Sequence, residues 1–214
     1  MMPDIQYLGR SCVRVRGKDG IVIADPFPKA NGFDPGKPTA HIATLSVNDS
    51  ERVSPNSVRP AKERVFVIDG PGEYEVGGLM INGVRTYRDN EKGAQRGYNT
   101  VYVLELDEMS FCHLGDLGHE LSTRQLEEIG TVDVLFVPVN DHLTAAQLTE
   151  LIASIEPRAV VPLYDSAEQL NKIATELGLK EWEAVDKLAV TTTSLPAEGE
   201  ETRVIVMKPT TLTA

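Results

Sequence analysis

The hydrophobic period of this chain changes once, near Asp116, and that change narrows the folds open to it. Before Asp116 the apolar residues come in short runs broken by glycine and proline. Cys12-Val13-Arg14-Val15-Arg16 alternates with the period of two of a half-buried strand. Gly17-Lys18-Asp19-Gly20 turns it into Ile21-Val22-Ile23-Ala24. Residues 5–8, 41–45 and 65–68 read as further strands, the last as a short buried run. Tyr74-Glu75-Val76 and Leu79-Met80-Ile81 predict a hairpin across Gly77-Gly78, with Glu73 and Glu75 on its solvent face. Residues 100–106 and 109–113 predict a second hairpin across Asp107-Glu108. The stretch 25–38 holds four prolines and two glycines and reads as a long loop, a length usually tied to function. Residues 88–98 are polar and read as a second loop.

After Asp116, helices and strands alternate. A helix is predicted over 122–129, with Ser122 or Thr123 as its N-cap. Residues 132–139 form a buried strand. Over 144–155 a helix is predicted with Leu148, Leu151, Ile152 and Ile155 on one face. Residues 159–161 read as a strand ended by Pro162, and 166–177 as a helix ended by Gly178. Two final strands are predicted at 189–193 and 202–207, with Trp182 anchoring the last helix. No repeat, low-complexity tract or linker interrupts the pattern, so residues 1–214 read as one domain of mixed sheets covered by helices.

Composition excludes several functions. The net charge is -11, from 21 Lys+Arg against 32 Asp+Glu. Such a surface repels phosphate backbones and anionic lipid, so neither nucleic acid nor membrane is an expected partner. Two cysteines, Cys12 and Cys112, are too few for a disulfide scaffold or a cysteine zinc site. No apolar run approaches the length of about 20 residues that spans a bilayer, and residues 1–9 show no signal-peptide pattern. A cytoplasmic location is the expectation.

Phe111-Cys112-His113-Leu114-Gly115-Asp116-Leu117-Gly118-His119 is a strand that ends in an acid held by glycines. It resembles the Gly-Asp motif of the metallo-β-lactamase fold, in its ascorbate-phosphate-lactonase-like hydrolase branch. Tyr7-Leu8-Gly9, Ala24-Asp25-Pro26-Phe27, residues 68–76 and Leu195-Pro196 are similar to that branch in the same order. Residues 85–100, with Asp89-Asn90-Glu91 and Arg96-Gly97, also resemble it. The resemblance spans the chain. It implies an α/β fold, an αββα sandwich of two mixed β-sheets flanked by helices, with a metal site at one edge between the sheets.

The family holds its metals with His-x-His-x-Asp-His, a spacing that lets one tight loop aim several donors at an ion. The matching stretch here is Leu45-Ser46-Val47-Asn48-Asp49-Ser50-Glu51-Arg52. Val47 and Asp49 stand at the first two histidines, Glu51 at the aspartate and Arg52 at the last histidine. Arg88 and Tyr164 stand at the two later histidine positions. Arg10 stands where the family often has histidine after Leu-Gly. Asp116, the metal-bridging acid, is retained.

The resemblance therefore implies a degenerate site. A guanidinium has no lone pair to offer a metal, so zinc hydrolysis is not expected, no catalytic residue is assigned and no cofactor is expected. The expected function is a non-catalytic binding or oligomer subunit, with itself or an active paralogue as partner. The former active site, Arg10, Arg52, Arg88, Asp116 and Tyr164, is the expected place for a small anion. Four alternatives stay open. Asp49, Glu51 and Asp116 could hold Mg²⁺ or Mn²⁺ in a rebuilt hydrolase of phosphorylated or lactone-like substrates. The arginines could be a structural ion-pair cluster around Asp116. The chain could be a scaffold alone, or the alignment could be displaced at residues 46–52.

Of the four histidines, His113 is expected to hydrogen-bond in the core, His119 to cap the next turn, and His142 to lie in a loop. His41 carries no signal. Cys112 reads as a buried inert thiol and Cys12 as a thiol near the surface edge. A Cys112–His113 nucleophile is geometrically poor, because neighbouring strand residues point to opposite faces.

Overall fold

Tight turns build the antiparallel parts of the computed structural model, which describes residues 2–29, 33–179 and 181–210. Strands β1 (Asp4–Gly9) and β2 (Cys12–Arg16) are joined at Gly9 and Arg10, which take φ of 105° and 54°. β3 (Ile21–Ala24) pairs antiparallel with β2. β4 (Thr39–Ala40), β5 (Ile42–Thr44), β6 (Arg59–Pro60) and β7 (Phe66–Ile68) follow, with β3, β5 and β7 parallel and β4 paired with β6. β8 (Gly72–Val76) and β9 (Leu79–Tyr87) form the hairpin read at Gly77-Gly78. β10 (Tyr98–Leu106) and β11 (Met109–His113) form the second, with Asp107 and Glu108 both at positive φ.

Then come α1 (Thr123–Ile129), β12 (Val134–Pro138), α2 (Ala145–Ile155), β13 (Ala159–Leu163), α3 (Ala167–Glu176), β14 (Leu188–Ala189) and β15 (Arg203–Val204). Ser122 and Thr144 close capping boxes with Gln125 and Gln147, satisfying amide groups that helix ends otherwise leave bare. Ser166 caps α3.

One sheet runs β14-β1-β2-β3-β5-β7 and the other β15-β13-β12-β11-β10-β9-β8. The period of two decides what lies between them. Val13, Val15, Val22, Ile42 and Ile68 meet Tyr102, Leu104 and Phe111 there, and Val101, on the other face of β10, continues the same core with the α2 face Leu148, Leu151, Ile152 and Ile155. Burying each such side chain contributes about 1.5–3 kcal/mol. The opposite face of the first sheet presents Cys12, Ile23 and Ala43 to a smaller cluster with Phe27, Phe33 and Val58. Two buried tyrosines pin the sheets together. The Tyr102 hydroxyl meets the carbonyls of Leu45 and Ile68 at 3.1 and 3.2 Å. The Tyr7 hydroxyl meets those of Arg10 and Tyr164 at 2.8 and 2.5 Å and accepts from the Tyr164 amide.

The sequence reading departs from the structure at several points. Phe66 and Val67 are exposed, because β7 is the edge of its sheet. Cys12 is fully buried, because β2 is an inner strand under the smaller cluster. β13 runs through Pro162: the missing amide faces the side where β15 has already ended, so no ladder bond is lost. The two last strands are only two residues each, and 191–194, read as strand, folds instead into a turn of Thr191 and Ser194. Trp182 lies beyond α3 and is 38% exposed, so it anchors no helix. Among the described residues the outer face of the first sheet is covered by loops, with a short 3-10 turn at Pro55–Ser57 and no α-helix.

Candidate functional site

The carboxyl ends of β3, β5, β11, β12 and β13, and the loop leaving β9, meet at one edge of the sandwich. A crevice outside such strand ends is where α/β sheets place their sites. β11 carries the chain to Gly115, at φ 65°, where a side chain would strike Ser46 and Asn99. That close approach sets Asp116 into the crevice. Asn99, fully buried on β10, fixes it there: its Oδ1 accepts from the Asp116 amide at 2.8 Å, and its Nδ2 donates to Thr86 Oγ1 and the Leu114 carbonyl at 2.8 and 2.9 Å.

Both oxygens of the Asp116 carboxylate are taken by donors. Oδ1 accepts from Arg52 Nη2 and Asn140 Nδ2, each at 3.1 Å. Oδ2 accepts from Arg88 Nε at 2.7 Å and lies 3.3 Å from His142 Nε2. Arg88 also donates from Nη1 to the Arg96 carbonyl at 3.0 Å, and the Arg96 guanidinium rests against the His142 ring. Burial pushes the Asp116 carboxyl above the ordinary carboxylate value. The charges of Arg52 and Arg88 pull it back only in part, and Asp25 adds a second upward push. Asp25 itself is buried at φ 47° and accepts from the Ser46 amide and hydroxyl at 2.7 and 2.6 Å.

Beside Asp116 a pocket of about 100 Å³ is lined by Arg10, Arg52, Asn140, Leu163 and Asp165 among others. Arg10 reaches it from the β1–β2 turn, its guanidinium 5.4 Å from the centre of the Phe27 ring.

A model of the beta-lactamase superfamily domain matches residues 4–164. The chain belongs to the β-lactamase superfamily. Similar relatives are a metal-dependent hydrolase of Natranaerobius thermophilus, 21% identical over 192 residues (75% of this chain, 82% of the relative), and the metal-dependent hydrolase YtkL of Bacillus subtilis, 21% identical over 191 residues (75% and 84%). Among solved structures, a protein of Thermotoga maritima assigned as a Zn-dependent hydrolase of the metallo-β-lactamase superfamily is 29% identical. The match covers 96% of this chain and 98% of that one at a TM-score of 0.75. A protein of Parabacteroides distasonis, 15% identical, shares the fold at a TM-score of 0.65, covering 95% and 93%.

The superfamily's zinc does not fit the donor set of this member. A zinc site takes three or four protein donors, largely imidazole, thiolate or carboxylate. Here the groups touching Asp116 are two guanidinia, a carboxamide and one imidazole. Among the described residues no group of three His, Cys, Asp or Glu is placed to hold a metal ion. The set Asp49, Glu51 and Asp116 is not brought together. Asp49 Oδ1 turns back to accept the Glu51 amide at 3.1 Å, and Glu51 faces solvent.

Of the residues read from the sequence, Arg10, Arg52, Arg88 and Asp116 gather at this edge. Tyr164 does not join them: its hydroxyl donates to the Met207 carbonyl at 2.8 Å, away from the pocket, and its ring packs on Tyr7. Asn140, His142, Asp165 and Asn99 were not assigned to the site by the sequence. The signal for two of them was present, since Asn140-Asp141-His142 directly follows the predicted strand next to the one bearing Asp116. His113 Nε2 donates to the Ser11 carbonyl (2.7 Å) in the core, as expected, and Cys112 is buried. Glu73 and Glu75 lie on the exposed face of β8, outside the site pocket.

Proposed function

We propose that this superfamily member has exchanged its metal centre for an arginine–carboxylate cluster and is a non-catalytic subunit that binds a small anion. One observation carries the reading: all four contacts to the Asp116 oxygens come from protein donors, at the position where the superfamily's metal-bridging acid stands. An ionised carboxylate this deeply buried needs charged or hydrogen-bonding partners, and guanidinium forks supply both. The pocket beside it adds Arg10, whose donors make no hydrogen bond among the described residues. A guanidinium open to a small pocket suits a carboxylate or phosphate group.

Elemental analysis of protein purified without chelator tests this. Less than about a tenth of an equivalent of transition metal, even after incubation with Zn²⁺ and Mn²⁺, is expected, because catalytic sites hold zinc tightly. One or two equivalents would overturn the reading. The second reading, a metal-dependent hydrolase, is favoured by the names of the relatives. It requires bound metal and activity that Asp116→Asn abolishes. The proposed partner is a second copy of the chain or an active paralogue, and light scattering of the purified protein decides between a monomer and an assembly.

A further inference from the structure

The pocket beside Asp116 carries both signs of charge, and that bears on what it binds. Arg10 and Arg52 line it with Asp116 and Asp165, two against two, and Arg88 and Asp25 both act on Asp116 beside it. A dianion such as phosphate would meet as many carboxylates as guanidinia, with no net attraction to offset its desolvation. The pairing inside the cluster is uneven. Arg88 and Arg52 are committed to Asp116, and Asp25 to Ser46. Among the described residues, the Arg10 guanidinium and the Asp165 carboxylate make no ion pair or side-chain hydrogen bond, although both line the pocket. Arg10 is held from above. Its backbone is fixed at φ 54° with its carbonyl 2.8 Å from the Tyr7 hydroxyl, and its guanidinium lies over Phe27. Asp165 is fixed by its own amide, which donates to Gln169 Oε1 at 2.7 Å at the start of α3. One donor and one acceptor of opposite charge are thus presented on a cavity of about 100 Å³.

We propose that the ligand is a small zwitterion, its carboxylate held by Arg10 and Arg52 and its ammonium by Asp165. The inference rests on the anion-binding reading above and narrows it to a chemical class. Each charged end of such a molecule completes a group that the protein leaves open, and the molecule brings no net charge to a pocket that is already balanced. Leu163, Pro138 and Val139 supply the apolar wall along which its carbon atoms would lie.

Isothermal titration of the full chain with glycine and β-alanine, against acetate, propionate, methylamine and inorganic phosphate, tests the class. A zwitterion is expected to bind at least about tenfold more tightly than the carboxylate of matching length, the discrimination one added charged contact supplies. In Asp165→Asn that gap closes while carboxylate binding persists. In Arg10→Gln both weaken. Acetate binding as well as glycine, or phosphate binding more tightly than either, overturns the zwitterion and leaves the anion pocket standing. A gap that survives in Asp165→Asn overturns the part given to Asp165. No heat and no thermal shift with any of the probes overturns the anion reading as well.

Discussion

Asp116 concentrates the cost of the site in one buried charge, and its two arginines relieve that cost unequally. Arg88 makes the 2.7 Å bond with a side chain 17% exposed, whereas Arg52 is 39% exposed at 3.1 Å. Removing one partner of a buried pair leaves an uncompensated charge, so Arg88→Met is expected to cost about 3 kcal/mol in urea unfolding. Solvent screens the exposed partner, so Arg52→Met is expected to cost less than about 1 kcal/mol. Adding Asp116→Leu to Arg88→Met should recover most of the loss. The reverse order of the two arginine variants would place the weight of the pair on Arg52. His119 makes a pH prediction. Its Nε2 accepts the Tyr87 amide at 3.0 Å, a bond only the neutral ring can make. Burial lowers its pKa below the ordinary 6.5, against the Glu120 carbonyl and Asp89. The folded value lies below the unfolded one, so this contribution is complete above the unfolded pKa and is lost as pH falls through the folded value. Between about pH 7 and about pH 5, the stability of His119→Asn should fall less steeply than that of the native protein. Equal slopes would contradict the assigned tautomer. Asp116 acts in the opposite sense, because its pKa is raised.

At the scale of elements, the loop after β9 is organised by one side chain. Asp89 Oδ1 accepts from the amides of Glu91 and Gly93, each at 2.8 Å, and Oδ2 from those of Gln95 and Arg96 at 3.1 and 2.6 Å. Burial would raise the Asp89 pKa, and the four amides outweigh it, holding the carboxyl below the ordinary value. Its contribution is therefore present above the unfolded pKa and is lost as pH falls through the folded one. The loop places the Arg96 carbonyl on Arg88 and so aims Arg88 at Asp116. In Asp89→Ala, hydrogen exchange at these four amides should speed up by at least about tenfold. Unchanged protection would show that the loop holds its shape without the carboxylate. Gly118 fixes the other side of the same segment. A methyl group there would strike the Arg88 carbonyl, and Gly118→Ala is expected to cost about 1–3 kcal/mol by thermal or urea unfolding.

Across the whole molecule, the two tyrosine pins make the site depend on both sheets at once. Tyr7 ties the β1–β2 turn to the end of β13, and Tyr102 ties β10 to the ends of β5 and β7. Burial raises both phenol pKa values, so each stays protonated and able to donate. Tyr7→Phe and Tyr102→Phe should each cost about 1–2 kcal/mol, since each leaves buried carbonyls with one fewer donor. Tyr7→Phe should in addition loosen Arg10 and weaken anion binding, which Tyr102→Phe should leave intact. No described helix is long and apolar enough to cross a membrane.

Most elements and their order were legible in the sequence, because hydrophobic period, turn residues and N-caps act over a few neighbours; the two-residue strands β4 and β6 were not. The hairpins at Gly77-Gly78 and Asp107-Glu108 and the α2 face are read directly from such spacing. The Gly-Asp motif with its accompanying segments pointed to the family, and the arginines at histidine positions pointed to the site edge. That β7 is an edge and β2 an inner strand emerges from the packed sheets, since sheet order is set by crossovers that leave no local pattern. The packing likewise turns Tyr164 to Met207, brings Asn140 and His142 to Asp116, and places Arg10 and Asp165 in the lining of one pocket. Those residues lie on separate strand ends, far apart in the chain. Their juxtaposition follows from how the two sheets pack, which no short stretch of sequence encodes.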